Sequence, residues 1–251
     1  MGLANELFKP LNAGEDLRTA TLKLKNQIKT TQQIPDVLKQ CNITSLYKYK
    51  GSRKDYANYR GIFRVTLLRS ILDKLIYNDE YPTIDKHLTD SCAGARRGRH
   101  IRDNIFVINA ILNNVVKRKL KDIDIGIYDV DKCFDKLWAQ KCFNDMYENG
   151  LQNYKLNLLF EENVNAKVAV KVQSGITRRV PISKNIMQGT VWGSLFCTST
   201  MDKLGKKALE QPELLYKYKG VPIPPLCMVD DVITVSNVEN TENMNSLVNI
   251  S

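Results

Sequence analysis

The hydrophobic pattern changes its period near the middle of the chain, just after Asp129. Ile123, Ile125 and Ile127 alternate with polar or small residues, which predicts a half-buried strand that ends at Asp129. Beyond it the apolar residues follow helical spacing: Cys133, Phe134, Leu137, Trp138, Cys142, Phe143, Met146 and Tyr147. Asp129 therefore falls where a strand ends and a helix soon begins. This pattern alone explains it equally well as a helix cap or as a functional carboxylate.

A second acidic position lies in the segment from Leu226 to Val235. Two runs of strand-forming residues flank Asp230 and Asp231, which predicts a tight hairpin with both carboxylates at its tip. Hairpin tips favour Asn-Gly or Asp-Gly, so two aspartates without a glycine are a poor choice for turning alone. A carboxylate inside a core needs a partner or a metal ion. These two aspartates therefore indicate a function beyond the turn.

The remaining pattern predicts further helices and strands, without internal repeats. The predicted helices are 11–29, 67–76 (ended by residues 78–82), 104–120 (capped by Asp103, with Ile105, Ile108, Leu112 and Val115 inward), 151–161, and one that begins within 187–196 and reaches Leu209. The predicted strands are 43–49, 167–172 and a return strand within 176–182. After Ser236 the chain turns polar.

Positive charge is concentrated in two segments of a chain whose net charge is +10. Residues 48–64 contain six lysines and arginines against the single acid Asp55, and residues 91–102 contain four arginines and no acid. Such clusters are typical of surfaces that contact nucleic-acid phosphates. A solvated basic loop fits the same pattern, so both interpretations stay open for each segment.

Composition narrows the class of protein. No apolar run approaches the roughly 18 residues of a membrane span, and the first ten residues lack a signal-peptide core. The six cysteines show neither CxxC nor zinc-finger spacing, and four of them lie in apolar surroundings. We therefore expect buried, reduced thiols and an intracellular protein with no membrane partner, without resolving nucleus from cytoplasm.

A series of short sequence segments, taken in order, resembles the fingers and palm of reverse transcriptases. Their residues are most similar to those of the non-LTR retrotransposon (LINE-type) branch. The matching segments are Ile34-Pro35, 43–48, Asn58 to Ile62, Gly94 to His100, 103–107, Asp129 with Phe134 and Asp135, Gln188-Gly189, and Val229-Asp230-Asp231. One aspartate pair would be a weak signal, but the ordered series of blocks between residues 34 and 236 is specific.

The resemblance implies an α+β fold, the right-hand polymerase arrangement of fingers and palm, with an antiparallel palm sheet packed on helices. It divides the chain into an N-terminal helical extension (1–33), fingers with part of the palm (34–122), a palm (123–236) and a truncated C-terminal tail (237–251). It also leads us to expect that a thumb is missing; whether a partner supplies one stays open.

The resemblance further assigns roles to single residues. It makes Asp129, Asp230 and Asp231 catalytic, with two Mg²⁺ ions held by Asp129, Asp230 and the backbone carbonyl of Val130. Other roles follow by position: Lys48 and Arg60 for the triphosphate, Phe134 beside the sugar, Gln188 and Gly189 beneath the template base and nucleotide, and Arg96, Arg97 and Arg99 against the template. From the residues alone, each of two positions also fits a purely structural role. Phe134 fits a core position on the helical stripe, and Gly189 fits the start of a helix.

Three functions fit these assignments. The first is an RNA-directed DNA polymerase fragment that adds deoxynucleotides to a DNA primer on an RNA template. The second is a non-catalytic RNA-binding module derived from such an enzyme, and the third is an RNA-templated RNA polymerase, against which Phe134 argues. The sequence departs from the family motifs at three places without losing a proposed metal ligand: Gly61, Gly193-Ser194 and Met228-Val229. Of the first two functions, only the enzyme requires the fold to bring Asp129 and Asp230 together.

Overall fold

The computed structural model describes residues 13–118, 122–130, 133–172, 174–182 and 186–250, with side chains from residue 18 to residue 249. The described helices are α1 Ala13–Thr31, α2 Leu67–His87, α3 Ile101–Arg118, α4 Cys133–Lys136, α5 Ala139–Glu148, α6 Asn153–Val164, α7 Gly193–Leu209 and α8 Thr241–Ile250. The described strands are β1 Gln40–Tyr47, β2 Tyr59–Val65, β3 Ile123–Asp129, β4 Lys167–Val172, β5 Gly175–Ile176, β6 Val180–Pro181, β7 Lys217–Tyr218, β8 Val221–Pro222, β9 Leu226–Met228 and β10 Asp231–Asn237.

The chain forms two compact units that alternate along the sequence. Unit 1 contains Met1–Thr83 and Phe134–Gly193, and unit 2 contains Ile84–Cys133 and Ser194–Ser251. Each unit is therefore built from two separate stretches, whereas the resemblance divides the chain into contiguous segments. The division into fingers and palm at residues 34–122 and 123–236 stays a prediction.

Unit 1 is organised around a five-stranded mixed sheet. β1 pairs with β2 in antiparallel register and with β4 in parallel register, and the short strands β5 and β6 return along β4. One face of the sheet packs into a core that contains Cys41, Val168 and Met187. The predicted strand at 167–172 and its hairpin return are confirmed.

Helix α2 corrects one predicted boundary. The helix continues to His87 with Pro82 inside it, although the proline and the polar residues before it predicted an end near residue 78. Proline in a helix removes a backbone hydrogen bond and costs about 3 kcal/mol. Tyr77, Tyr81 and Ile84 are all buried at helical spacing across this position, so packing of that face outweighs the local cost.

Unit 2 contains a three-stranded antiparallel sheet in the order β3-β10-β9. The two faces of β10 pack into different cores. Val232 packs with Leu204 of α7 and Met244 of α8, and Val235, on the opposite face, packs with Ile111 of α3. Helices thus cover both faces, and the predicted α+β class with an antiparallel sheet packed on helices is confirmed.

The predicted buried face of α3 is only partly correct: Ile108 and Val115 are half-buried and pack against the core, but the other two predicted positions do not. Ile105 and Leu112 are 49% and 40% exposed, while the buried positions are Asn104 and Ile111, flanked by the half-buried Val107. Apolar residues occupy most of this helix surface, so periodicity did not separate the two faces. The start is also earlier than predicted: Asp103 lies in the first turn, and its carboxylate accepts a hydrogen bond from the backbone N–H of His100 at 2.9 Å.

Three further boundaries differ from the pattern. The helical stripe after Asp129 is divided into α4 and α5, with Trp138 between them 74% exposed. Helix α7 begins at Gly193, after a turn at residues 188–192. The segment predicted as a polar tail forms α8, because Met244 and Leu247, one helical turn apart, are buried in the core of unit 2.

Two expectations from composition can be compared with the structure. All six cysteines are buried and none of them forms a disulfide, as predicted. Among the described helices, none combines the length and the apolar character that crossing a membrane requires.

Candidate active site

The three aspartates meet at one end of the unit 2 sheet. Asp129, the last residue of β3, lies directly opposite Asp231, the first residue of β10. Asp230 precedes Asp231 in the turn, and its backbone carbonyl accepts a hydrogen bond from the N–H of Val130 at 3.3 Å. Asp129 and Asp231 are exposed and Asp230 is half-buried. The proposed site requires Asp129 and Asp230, which are distant in the sequence, to lie together. The pairing of β3 with β10 meets this requirement.

Their charges act on one another. Partial burial, followed by the negative charges of Asp230 and then Asp129, raises the pKa of Asp231 above its ordinary value. Within the described part of unit 2, none of the three carboxylates has a basic side chain as an ion-pair partner. The strand ends therefore concentrate negative charge that a bound cation would neutralise.

The hairpin that carries Asp230 has a tight tip. Met228 pairs with Asp231, so Val229 and Asp230 alone form the turn. Val229 adopts φ +61°, a left-handed conformation that is strained for a β-branched residue. Strain of this kind persists only where surrounding structure fixes the backbone, and it is concentrated at functional sites.

The start of the arginine-rich loop fixes this hairpin. Ala93 donates its N–H to the carbonyl of Cys227 at 2.9 Å, and Cys227 donates to the carbonyl of Ser91 at 2.9 Å, so residues 91–93 extend the sheet beside β9. The buried side-chain amide of Asn104 adds a 3.3 Å hydrogen bond to the Cys227 carbonyl. Residue 104 lies in the matching block 103–107, but nothing in the sequence indicated that this block supports the hairpin.

Gly94 is the point of closest contact with the strained turn. A Cβ added at Gly94 would lie 2.3 Å from the backbone nitrogen of Val229, closer than atoms can approach. The hydroxyl of Thr198, on α7, donates to the Gly94 carbonyl at 2.9 Å and fixes this segment from its other side. Position 94 must therefore be glycine if the Asp230 turn is to keep its place.

We expect Gly94→Ala to lower the free energy of unfolding by about 2 kcal/mol, because the new methyl group overpacks a backbone contact. Gly98→Ala is the matched control in the same loop, because Gly98 has φ +71° but nothing within 4 Å of an added Cβ. It should cost about 1 kcal/mol for backbone strain alone. Urea denaturation compares them, and equal costs would refute the contact argument.

The three arginines assigned to the template have different surroundings. Arg96 is buried and lies within the loop: its Nε is 2.7 Å from Asp85 Oδ1, and its other nitrogens donate to the carbonyls of Thr89, Cys92 and Asp85. Arg99 forms an ion pair with Asp90 and is half-buried, whereas Arg97 is exposed. Arg96 therefore stabilises the loop, and a template contact is better served by its two neighbours.

The residues assigned to the nucleotide lie in unit 1. Lys48 and Arg60 are exposed on the β1–β2 hairpin, where Lys48 Nζ donates to the carbonyl of Ala57 at 3.1 Å. Phe134 is half-buried in α4. These positions belong to a different unit from the aspartates, and their roles stay predictions.

Gln188 and Gly189 lie against the backbone of β2. The carbonyl of Gln188 accepts a hydrogen bond from Phe63 N–H at 2.9 Å. Gly189 has φ +99°, and a Cβ there would be 3.0 Å from Ile62 Cγ2 and 3.2 Å from the Phe63 carbonyl oxygen. Gly189 is therefore a turn glycine in close backbone contact, not the first residue of a helix.

The donors at the strand ends suit a hard cation only in part. No group of three or more histidine, cysteine, aspartate or glutamate side chains in the described ranges is placed to hold a metal ion. Mg²⁺ in phosphoryl-transfer sites is usually held by one or two carboxylates together with substrate phosphates. Asp129 and Asp230 therefore fit Mg²⁺ as a shared site with a phosphate ligand, and do not form a complete protein cage.

These observations define the class of fold. The chain has an α+β fold in which β3 and the β9–β10 hairpin carry the aspartates at neighbouring strand ends.

Solved telomerase structures share this fold. Apo telomerase from Candida tropicalis, truncated from its C-terminal domain, superposes with a TM-score of 0.59 at 14% identity over 90% of this chain and 51% of that one. Telomerase from Candida albicans, in complex with a TWJ fragment of telomeric RNA, gives 0.62 at 11% identity over 86% of this chain and 40% of that one. The chain thus spans about half, or less, of the length of these structures.

The two sequence comparisons found no match. No family model matches the chain, and no curated protein matches its sequence. At 11% to 14% identity the telomerase likeness establishes the fold alone, so the reverse-transcriptase-like fold is confirmed and the LINE branch stays a prediction.

Proposed function

We propose that this chain is part of an RNA-directed DNA polymerase of non-LTR retrotransposon origin, which adds deoxynucleotides to the 3′-hydroxyl of a DNA primer on an RNA template. The observation that carries the proposal is the pairing of Asp129 with Asp231, with Asp230 beside them in the turn. The telomerase neighbours support a polymerase-related, RNA-binding fold. The retrotransposon origin rests on the sequence blocks alone.

Asp129 and Asp230 are the proposed metal ligands. The Val130 carbonyl already accepts a hydrogen bond from Cys133 N–H at 3.1 Å, and its second lone pair is the one available to a cation. When bound, two Mg²⁺ ions stabilise the attacking and leaving oxygens of an in-line displacement at phosphorus. The protein contributes fixed carboxylates: neighbouring strand ends hold Asp129, and a strained turn fixed by Gly94 holds Asp230.

The remaining assignments complete the proposal. Lys48 and the forked guanidinium of Arg60 would contact the triphosphate, and Gln188-Gly189 would support the template base and the incoming nucleotide. Phe134 would exclude a 2′-hydroxyl and so favour deoxynucleotides. Arg97 and Arg99 would contact template phosphates, with Arg96 stabilising their loop from inside.

The alternative is a non-catalytic RNA-binding module derived from such an enzyme, and one feature of unit 1 favours it. A groove of about 450 Å³ beside the five-stranded sheet is lined by Arg64, Lys171 and Arg179 and by no acidic residue. Asn42 Oδ1 and Thr44 Oγ1, both among its lining residues, are buried without a hydrogen-bond partner. Such a surface can hold phosphates without any use of the aspartates.

Primer extension separates these functions. The wild-type chain, with Mg²⁺ and a DNA primer annealed to an RNA template, should extend the primer with deoxynucleotides and discriminate against ribonucleotides. Phe134→Ala should admit ribonucleotides, whereas Phe160→Ala, a packing phenylalanine of α6, should leave nucleotide choice unchanged. Absence of product together with tight, salt-sensitive RNA binding would support the module. Preference for ribonucleotides would support an RNA polymerase.

A further inference from the structure

The end of the β1–β2 hairpin carries four tyrosines within thirteen residues. We name residues 47–59 the aromatic loop; its tyrosines are Tyr47, Tyr49, Tyr56 and Tyr59. Tyr47 and Tyr59 face each other across the strand pair, with ring centroids 5.4 Å apart. The ring of Tyr49 lies 5.4 Å from that of Tyr47. The strand ends thus present a group of neighbouring aromatic rings.

Hydrogen bonds within the aromatic loop hold it in shape. Lys48 N–H donates to the Asn58 carbonyl at 2.8 Å, and the Asn58 amide donates to the Ser52 carbonyl at 2.8 Å. The hydroxyls of Tyr47 and Tyr59 donate to the carbonyls of Gly51 and Arg53 at 2.5 Å and 2.9 Å. The loop is therefore preorganised, which lowers the entropic cost of binding a ligand.

Two of the four rings contribute little to this architecture. Tyr49 is 85% exposed and Tyr56 is 92% exposed, whereas Tyr47 and Tyr59 are half-buried. Tyr49 also adopts φ +55°, an unfavourable backbone conformation for a tyrosine. Two large, rigid rings in water are a surface that a stacking ligand can cover at low entropic cost.

The charge around these rings is positive. Lysines and arginines occupy five positions between residues 48 and 60, namely Lys48, Lys50, Arg53, Lys54 and Arg60. The only acid there, Asp55, accepts a hydrogen bond from Ala57 N–H at 2.9 Å within the loop. The Arg53 guanidinium lies 5.2 Å from the centroid of the Tyr47 ring. Exposed aromatic rings set among cations are the features by which proteins bind single-stranded nucleic acid.

We propose that the aromatic loop is a binding site for single-stranded RNA, in which Tyr49 and Tyr56 stack on unpaired bases and the remaining basic residues of the loop contact the phosphates, namely Lys50, Arg53 and Lys54. A duplex does not offer its base faces, because they already stack within the helix. The site needs none of the aspartates, so it extends the proposed function and would also hold for a non-catalytic RNA-binding chain.

The experiment measures binding of the full chain to fluorescein-labelled RNA by anisotropy. The probes are a 15-nucleotide adenosine RNA, a 15-base-pair RNA duplex and a 15-unit abasic strand with the same phosphate charge. Tyr49→Ala/Tyr56→Ala removes both rings, and Tyr49→Phe/Tyr56→Phe keeps them. Tyr147→Ala removes a tyrosine of α5 that is 54% exposed and serves as the matched control.

We expect the double alanine variant to bind the single strand about a hundredfold more weakly, roughly tenfold for each ring. The double phenylalanine variant and Tyr147→Ala should bind like the wild type. The dependence of affinity on salt should be unchanged, because no cation is removed. The proposal is overturned if the double alanine variant keeps wild-type affinity, if the phenylalanine variant loses as much as the alanine variant, or if the abasic strand or duplex binds as tightly as the single strand.

Discussion

Replacing Asp230 with asparagine should lower the rate of single-nucleotide incorporation by at least about a thousandfold. A metal ion supplies several kcal/mol of transition-state stabilisation, and each 1.36 kcal/mol corresponds to a tenfold change in rate. Asparagine keeps the size of the side chain, and the hydrogen bond from Val130 goes to the backbone carbonyl of residue 230, so the turn should be retained. RNA affinity should be unchanged or slightly higher because one negative charge is lost.

Rapid-quench measurement of one added nucleotide gives this rate, and anisotropy gives the RNA affinity in the same preparations. Asp122→Asn, an exposed aspartate just before β3, is the matched control and should keep the wild-type rate. Asp231→Asn should lower the rate less than Asp230→Asn, since Asp231 is not among the proposed metal ligands. A rate for Asp230→Asn within tenfold of wild type would exclude Asp230 as a metal ligand.

Replacing Arg69 with methionine should reduce the stability of unit 1 by about 3 to 5 kcal/mol, the usual cost of breaking a buried ion pair on one side. Arg69 is 1% exposed, and its Nε lies 3.6 Å from a carboxylate oxygen of Asp73 and 3.6 Å from one of Glu162. Its Nη1 donates to the backbone carbonyls of Leu38 and Glu162. Without the guanidinium, the buried carboxyl groups of Asp73 and Glu162 lose the ion-pair partner that they share.

Urea denaturation measures this loss, and a combined variant provides the control. Arg69→Met with Asp73→Leu and Glu162→Met removes all three charges, and it should recover most of the stability, because a fully apolar replacement leaves no buried charge unpaired. A loss below about 1 kcal/mol in Arg69→Met alone would show that the triad does not stabilise the unit.

The same triad predicts how stability depends on pH. Burial, followed by the charge of Asp73, raises the pKa of Glu162 well above its ordinary value, and burial also raises the pKa of Asp73. A raised folded-state pKa gives stability that is complete below the unfolded pKa of about 4.5 and is lost as pH rises through the folded value. In Glu162→Gln, the free energy of unfolding should therefore fall less steeply above pH 5 than in the wild type. Glu161→Gln changes a partly exposed neighbouring residue, and it should show the same fall as the wild type when unfolding is measured across this pH range.

Short-range patterns explain what the sequence predicted well. Alternation at Ile123, Ile125 and Ile127 predicted β3, and two flanked aspartates predicted the β9–β10 hairpin, because a strand shows its register within a few residues. The resemblance to the family then predicted that these two segments lie side by side. The pairing of Asp129 with Asp231 confirms that they are neighbours. Periodicity alone contains no information about which distant strands pair.

The features that the sequence did not predict depend on tertiary contacts. Arg96 and Arg97 are adjacent arginines, yet only Arg96 is buried, because Asp85 and three carbonyls surround it. Pro82 lies inside a helix because the buried tyrosines around it outweigh its local cost. Gly94 reads as one glycine in a basic loop, and its contact with Val229 appears only when the strands are assembled.

Binding of Mn²⁺, a paramagnetic substitute for Mg²⁺, tests the central claim most directly. Electron paramagnetic resonance would count the ions bound by the chain with an RNA template, a primer that lacks its 3′-hydroxyl and the matching deoxynucleotide. The account predicts about two ions per chain beyond those bound by nucleic acid and nucleotide alone, and a loss of bound ions in both Asp129→Asn and Asp230→Asn. Wild-type binding equal to the protein-free control, or binding unaffected by both substitutions, would contradict a shared cation site at these strand ends.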